Sequence, residues 1–226
     1  MDVYQLVRVL SEAEDAVEGG RPVAGTGFWR AVSAVKADPD LVDAFADRIG
    51  AVDQKAFRAW ALLVVPLWVG TSLMIVGTVL GLILIGRAYS LTGFWATIAF
   101  LAGFGALLVT THGLGHLAVG TAVGIRFTGW FIGTVRMPQP GVKTDYASYL
   151  RTPARSRAWM HASGAIVTKL VPFALIGAAI ASGVPVWVTW LLVLVGVVTI
   201  ITDVRWSTKA SDWKKFRREM RFAQPL

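Results

Sequence analysis

Two of the three histidines in this chain, His112 and His116, lie four residues apart inside an apolar stretch. On an α-helix four residues turn through about 400°, so the two imidazoles share one face, about one turn apart. With this spacing a helix presents two nitrogen ligands to a single metal ion. We therefore take residues 111–116 as the candidate centre of the protein's chemistry.

The composition indicates that these histidines lie in a membrane. Of the 226 residues, 55% are hydrophobic and only 16% are charged, and no acidic residue lies between Asp53 and Asp145. A soluble domain of this length carries more charge. There is no cysteine, which excludes disulfides and thiolate metal sites. We expect an all-α polytopic membrane protein with about four transmembrane helices.

The apolar runs and the turn residues between them predict where the elements lie. We expect an N-terminal region of cytosolic or interfacial helices over residues 1–58, a four-span core over 59–205 and a basic interfacial tail over 206–226. Within the core, the predicted spans are about residues 60–85, 94–125, 158–182 and 186–201. Pro66 should kink the first span. β-Forming residues after Arg126 could make a short hairpin, which Pro138 and Pro140 should break.

The basic residues favour one orientation. Seven Lys and Arg lie in residues 1–58, six in 126–157 and seven in 205–226, whereas the two opposite connections carry only Arg87 between them. Under the positive-inside rule, both termini are cytoplasmic. We expect the basic tail to contact anionic membrane lipids. Although the net charge is +8, we do not expect the protein to bind nucleic acid, because of where its basic residues lie.

Further polar residues fall at a similar depth in this topology. His161 begins the third span and Asp203 ends the fourth, so both could approach His112 and His116. Two histidines and one aspartate with an open fourth position suit Zn²⁺. Lys169 lies about two turns deeper than His161 and needs a partner.

Each residue also has an ordinary interpretation. The histidine pair could form hydrogen bonds between helices, and His161 could contact lipid headgroups. Asp203 could pair with the neighbouring Arg205, and Lys169 could extend its ammonium group toward the membrane surface.

The motifs resemble those of the site-2 protease family of intramembrane zinc metalloproteases, over roughly residues 94–212. The sequence HGLGHLAVG from His112 resembles the HExxH helix of that family, and the following loop resembles its membrane-surface hairpin. Residues 161–168 resemble the segment that carries a glycine-proline pair and then an asparagine. By this resemblance His112, His116 and Asp203 are the zinc ligands.

One departure from the family pattern bears directly on activity. Gly113 stands where the family has the glutamate that takes a proton from the zinc-bound water. Loss of a positioned general base costs about 10²–10⁴-fold in rate. Our leading hypothesis is therefore a pseudoprotease that binds a transmembrane segment of another protein or a larger membrane complex, with or without the zinc.

Two alternatives remain open from the sequence. The first is an active metalloprotease that uses another base, for which Asp145 is the candidate. The second is an accessory subunit of a membrane complex, whose histidines bind haem or a chlorin. Two histidines on one face of a helix cannot supply opposite axial ligands to one iron, which argues against haem.

Overall fold

The protein is largely helical. The computed structural model describes residues 1–135, 138, 140–205 and 211–223. Within these residues the chain forms three short strands, which are given below, and ten helices. The helices are α1 (Val3–Glu18), α2 (Phe28–Lys36), α3 (Pro39–Trp60), α4 (Leu67–Ala88), α5 (Gly93–Ala122), α6 (Tyr146–Arg151), α7 (Ala154–Ala174), α8 (Ile176–Ala181), α9 (Val186–Arg205) and α10 (Asp212–Phe222).

The chain divides into two compact units. The first comprises Met1–Leu67, Gly120–Arg157 and Arg221–Leu226, and the second comprises Trp68–Val119 and Ala158–Met220. Of the predicted tail, residues 206–210 and 224–226 lie outside the described part of the chain.

The first unit is a small helical domain with its own apolar core. Helix α3 begins as expected, with Pro39 in its first turn and the Asp38 carboxylate accepting a hydrogen bond from the Asp40 amide at 3.0 Å. Its core is formed by apolar side chains of the first three helices, among them Leu6, Leu10, Phe28 and Ile49, each at most 1% exposed.

A three-stranded antiparallel sheet completes the first unit, in the order β1 (Leu63–Val65), β2 (Phe127–Ile132) and β3 (Pro140–Thr144). The predicted hairpin is present, but its second strand begins at Pro140, which we expected to break it. Proline is tolerated there because it is the first residue of an edge strand, where its missing N–H removes no ladder bond.

Strand β1 was not predicted, and it corrects the start of the first span. Helix α3 continues to Trp60, β1 pairs with β2, and the apolar helix begins only at Leu67. Pro66 therefore precedes α4 and does not kink it. Proline disfavours helical backbone in the residue before it, which keeps Val65 in the extended conformation of a strand.

Four segments are long and apolar enough to cross a membrane: Leu67–Ala88, Gly93–Ala122, Ala154–Ala181 and Val186–Asp203. The third consists of α7 and α8, and α7 contains Pro172. In the most apolar stretch of each segment, only 17% to 44% of the residues are buried within the protein. Most of these apolar side chains therefore face outward, as expected of helices surrounded by lipid rather than by protein.

In the second unit, glycines allow the first two of these helices to pack closely. A Cβ atom at Gly103 would lie 2.6 Å from the Gly81 carbonyl oxygen, so position 103 has no room for a side chain, and one at Gly81 would be crowded at 3.1 Å from the Gly103 carbonyl oxygen. Nearby, Thr78 and Thr110 are joined by a hydrogen bond of 2.8 Å between their hydroxyl groups. This packing fixes α5, which carries the histidine pair, against α4.

Candidate metal centre

The histidine pair lies in the last three turns of α5. The rings of His112 and His116 are neighbours, with centroids 4.8 Å apart and planes at 89° to each other. The His116 side chain is 13% exposed and that of His112 is 38% exposed. The two imidazoles therefore lie side by side on one face of the helix, as their spacing predicts.

A carboxylate from α10 faces both rings. One oxygen of Asp212, Oδ2, lies 3.2 Å from His116 Nε2 and 3.4 Å from His112 Nε2. The Asp212 side chain is 16% exposed. Among the residues that the structure describes, these three form the one group of potential ligands whose donor atoms all lie within 4.8 Å of one another.

The other ring nitrogen of His116 decides how this histidine is protonated. His116 Nδ1 lies 2.7 Å from the Met160 carbonyl oxygen. A carbonyl oxygen can only accept, so Nδ1 must carry the proton and donate it. In the neutral imidazole, Nε2 then presents a lone pair, and this lone pair faces the carboxylate of Asp212.

The same reasoning applies to His112. Its Nδ1 lies 2.8 Å from the Thr168 hydroxyl oxygen, and that hydroxyl donates its own hydrogen to the Gly164 carbonyl at 2.9 Å. Thr168 therefore accepts from His112 Nδ1, which leaves Nε2 of a neutral His112 as a second lone pair directed at Asp212.

Three electron-pair donors thus point at one another. Such an arrangement is repulsive unless both rings are protonated or a cation lies between them. A tetrahedral zinc ion with bonds of about 2.0–2.1 Å needs donor atoms about 3.3 Å apart. The two nitrogen–oxygen distances of 3.2 and 3.4 Å fit this requirement. The Nδ1 hydrogen bonds also match the outer contacts that orient histidine ligands.

Asp212 is held in its ionised form. Burial raises the pKa of Asp212, but contacts with the His112 and His116 rings, when these are protonated, and the positive charge of Lys215 outweigh burial and leave the pKa well below its usual range. The Lys215 ammonium group lies 3.0 Å from the other carboxylate oxygen, Oδ1. Asp212 is thus a charged ligand candidate with one oxygen directed at the histidines.

Close packing between α5 and α7 sets the position of His116. A Cβ atom at Gly115 would meet Val167, Ser163 and Gly164 at 3.3–3.4 Å, so the two helix backbones approach closely there. At Gly164 a Cβ atom would lie 2.7 Å from both Cδ2 and Cε1 of His116, which no real side chain tolerates. The ring of His116 therefore occupies the space that a side chain at position 164 would fill.

The expected third ligand, Asp203, has a different partner. Its carboxylate forms an ion pair with the Lys169 ammonium group, which also donates to the Ala165 carbonyl oxygen at 3.2 Å. The acid at the histidines is Asp212 rather than Asp203. This ion pair explains why a lysine is tolerated within an apolar segment: Asp203 neutralises the charge of Lys169 there.

The structure also shows where the other two candidate residues, His161 and Asp145, lie. His161 lies within electrostatic range of Lys215, Glu219 and Asp212 of α10, but it is not part of the group of potential ligands. Asp145 belongs to the first unit, where one oxygen accepts from the Ala147 amide at 3.1 Å and the other from Arg126 at 2.9 Å. Asp145 is thus the N-cap of α6.

Sequence reasoning missed Asp212 because it lies in a strongly basic segment. A pattern that indicates it is present: α10 carries two acidic residues, Asp212 and Glu219, seven positions and about two helical turns apart, on one face. Glu219 is 0% exposed. Acidic residues that share a face within a basic helix indicate that this face is turned toward the protein.

No family model, no curated protein and no solved structure matches this chain. The likeness to the site-2 protease family therefore rests on the quoted motifs alone and stays a prediction. The metal centre is argued from its own geometry.

Proposed function

We propose that this chain is an integral membrane protein that binds one zinc ion through His112, His116 and Asp212 and acts by binding a partner rather than by cleaving peptide bonds. The observation that carries the proposal is the convergence of two Nε2 lone pairs on one carboxylate oxygen, at 3.2 and 3.4 Å. A divalent cation satisfies all three donors at once.

The membrane assignment is supported by the four apolar segments and their outward-facing side chains. The charge distribution supports a topology with both termini in the cytoplasm, because the basic residues concentrate in the two terminal regions and in the loop over residues 126–157. In this topology the metal centre lies at the cytoplasmic end of α5.

The residues at the centre do not support efficient hydrolysis. Zinc, when bound, would supply a Lewis acid and a water of lowered pKa. Hydrolysis then needs a base beside that water, and Gly113 has no side chain to provide one. Asp212 is used as a ligand, and both oxygens of Asp145 are occupied by Ala147 and Arg126. A set of metal ligands without a neighbouring base supports the pseudoprotease interpretation.

The geometry gives less support to a haem or chlorin site. Both Nε2 atoms approach the same oxygen of Asp212 and so lie on one side of any common ligand. A haem iron with two histidine ligands needs them on opposite faces of the macrocycle.

The first experiment measures metal in the full chain, purified in detergent, by elemental mass spectrometry. We expect near-stoichiometric zinc in the unchanged protein and almost none in His112→Ala/His116→Ala. The matched control is Thr97→Val/Thr121→Val, which changes two polar residues of the same helix: Thr97 donates to the Gly93 carbonyl oxygen of that helix, and Thr121 is exposed. It should retain zinc. Absence of metal from the folded, unchanged protein after incubation with zinc would refute the site.

A second assay separates binding from hydrolysis. The zinc-loaded protein is incubated in liposomes with model transmembrane peptides, and products are followed by mass spectrometry. We expect no cleavage. Cleavage that requires zinc and disappears in His112→Ala would refute the non-proteolytic part of the proposal and leave the metal site intact.

A further inference from the structure

Helix α10 carries opposite chemistry on its two faces. The inward face bears Asp212, Phe216 and the fully buried Glu219. Phe216 stacks on Trp213 at 5.1 Å between ring centroids and meets Trp159 of α7 edge-on at 5.4 Å. These contacts dock α10 in the orientation that directs Asp212 at the histidines.

The outward face of α10 is a basic stripe. It consists of four exposed side chains at positions i, i+3, i+4 and i+7 of the helix, which place them on one side: Lys214, Arg217, Arg218 and Arg221. Arg218 has an acidic neighbour, Glu219, at 3.9 Å, but that carboxylate is buried. The stripe therefore presents four positive charges and no exposed acid.

We propose that the basic stripe binds anionic phospholipid headgroups and that this binding strengthens metal binding at His112, His116 and Asp212. The inference rests on the proposed zinc site. Helix α10 supplies both the Asp212 carboxylate for zinc and the four positive charges for lipid. Zinc and lipid therefore both favour the docked position of the same helix, and each raises the affinity for the other by the same factor.

The position of α10 in the chain favours lipid as the source of the anions. Helix α9, an apolar segment, ends at Arg205, and α10 begins at Asp212. Only six residues, 206–211, separate the end of an apolar helix of membrane-crossing length from a helix with an exposed cationic face, which is the arrangement of segments that bind anionic headgroups.

The sign of the coupling follows from the two acids. If α10 left the protein and lay on the membrane by its Trp213 and Phe216 face, Asp212 and Glu219 would be carried into the anionic surface. In the docked orientation both carboxylates stay within the protein and only the basic stripe meets the headgroups. Anionic lipid therefore favours the docked helix and hence the complete metal site.

The test compares zinc affinity of the full chain in nanodiscs of phosphatidylcholine alone and of phosphatidylcholine with about one third phosphatidylserine, by competition with a chelating dye. We expect affinity about tenfold higher in the anionic discs. In Lys214→Gln/Arg217→Gln/Arg218→Gln/Arg221→Gln most of this gain should disappear. The control Arg8→Gln/Arg21→Gln/Arg30→Gln/Arg58→Gln removes as many exposed positive charges from the first unit.

The control separates the stripe from the bulk effect of the surface. An anionic membrane concentrates Zn²⁺ near every variant alike, so only a gain lost in the stripe variant and kept in the control supports the inference. Equal or weaker zinc affinity in anionic discs overturns it while leaving the zinc site standing. Absence of zinc binding in both discs overturns the proposed function and the inference together.

A different polyanion is a further outcome. If an RNA oligonucleotide tightens zinc binding in neutral discs and anionic lipid does not, the stripe recognises nucleic acid, and the inference about lipid is wrong.

Discussion

Gly164 of α7 lies directly against the imidazole of His116. A Cβ atom at position 164 would come within 2.7 Å of two carbon atoms of the ring. The carbonyl oxygen of Met160, four residues earlier, accepts the hydrogen bond from His116 Nδ1. One turn of α7 therefore both holds the ring and leaves the space for it.

Gly164→Ala should displace His116 and weaken zinc binding by at least about tenfold, because the added methyl group overlaps the ring and breaks the contact with Met160. The dye competition assay measures the affinity. Gly177→Ala is the matched control, since a Cβ atom there meets nothing within 4 Å. Unchanged zinc affinity in Gly164→Ala would contradict the orientation of His116 described above.

Thr168→Val should reduce zinc affinity by about 10- to 100-fold, the usual effect of losing an outer contact to a histidine ligand. The valine keeps the shape of threonine but cannot accept from His112 Nδ1. Thr199→Val serves as the control, because that hydroxyl donates to the Gly196 carbonyl oxygen of its own helix, away from the histidines. Equal losses in the two variants would point to general destabilisation.

Asp212→Asn should lose most of the bound zinc, whereas Asp203→Asn should retain it. The amide of asparagine is a neutral and weaker ligand, and Asp203 is engaged with Lys169 rather than with the histidines. Elemental analysis of the two purified variants decides between the acids. Loss of zinc in Asp203→Asn alone would restore the ligand set that the sequence motifs predict.

Lys169→Met should destabilise the protein by about 2–3 kcal/mol, because it leaves the Asp203 carboxylate unpaired beside apolar helices. The double variant Lys169→Met/Asp203→Leu removes both charges and should recover most of that loss. Thermal unfolding in detergent measures both. A double variant as unstable as the single one would mean that the pair does more than neutralise two charges.

Glu14→Gln should weaken the first unit by about 0.5–1 kcal/mol at pH 7, a value that allows for solvent screening of this partly exposed pair. The hydrogen bonds from Arg48 lower the pKa of Glu14, against the opposing effect of burial. A lowered pKa in the folded state stabilises the fold at higher pH, and this stabilisation is lost as the pH falls below about 4. Hydrogen exchange of the α1 amides in the full chain measures this loss of stability.

Two controls accompany that measurement. Glu12→Gln alters a more exposed contact with Arg8 at 3.6 Å and should change little. At pH 3.5 the difference in stability between Glu14→Gln and the unchanged protein should be smaller than at pH 7. A difference that stays constant with pH would show that the carboxylate charge is not its cause.

Local patterns predicted much of this fold. Uninterrupted apolar runs gave four helices of membrane-crossing length, and Asp38 with Pro39 gave the start of α3. Where two tendencies competed, the sequence was less informative. The residues after Trp60 are apolar enough for a span, but pairing with β2 and the backbone restriction before Pro66 place them in a strand.

The histidines could be predicted from spacing because they share one helix, and helical geometry alone brings them together. The third donor could not. Asp203 and Asp212 both follow the fourth apolar run, and the choice between them depends on how α9 is rotated and on where α10 packs. Those are set by Lys169 on another helix and by aromatic contacts with Trp159, which no local pattern contains.

His116 Nε2 and Asp212 Oδ2, which lie 3.2 Å apart, belong to residues separated by 96 positions in the chain. Everything between them, including α7, α8 and α9, must be synthesised before the two side chains can meet. A ligand set spread over the chain in this way cannot form on a partly inserted polypeptide. Under the proposed function, metal uptake would then be a late event in biosynthesis, and an occupied site would mark a chain whose four apolar segments are all in place.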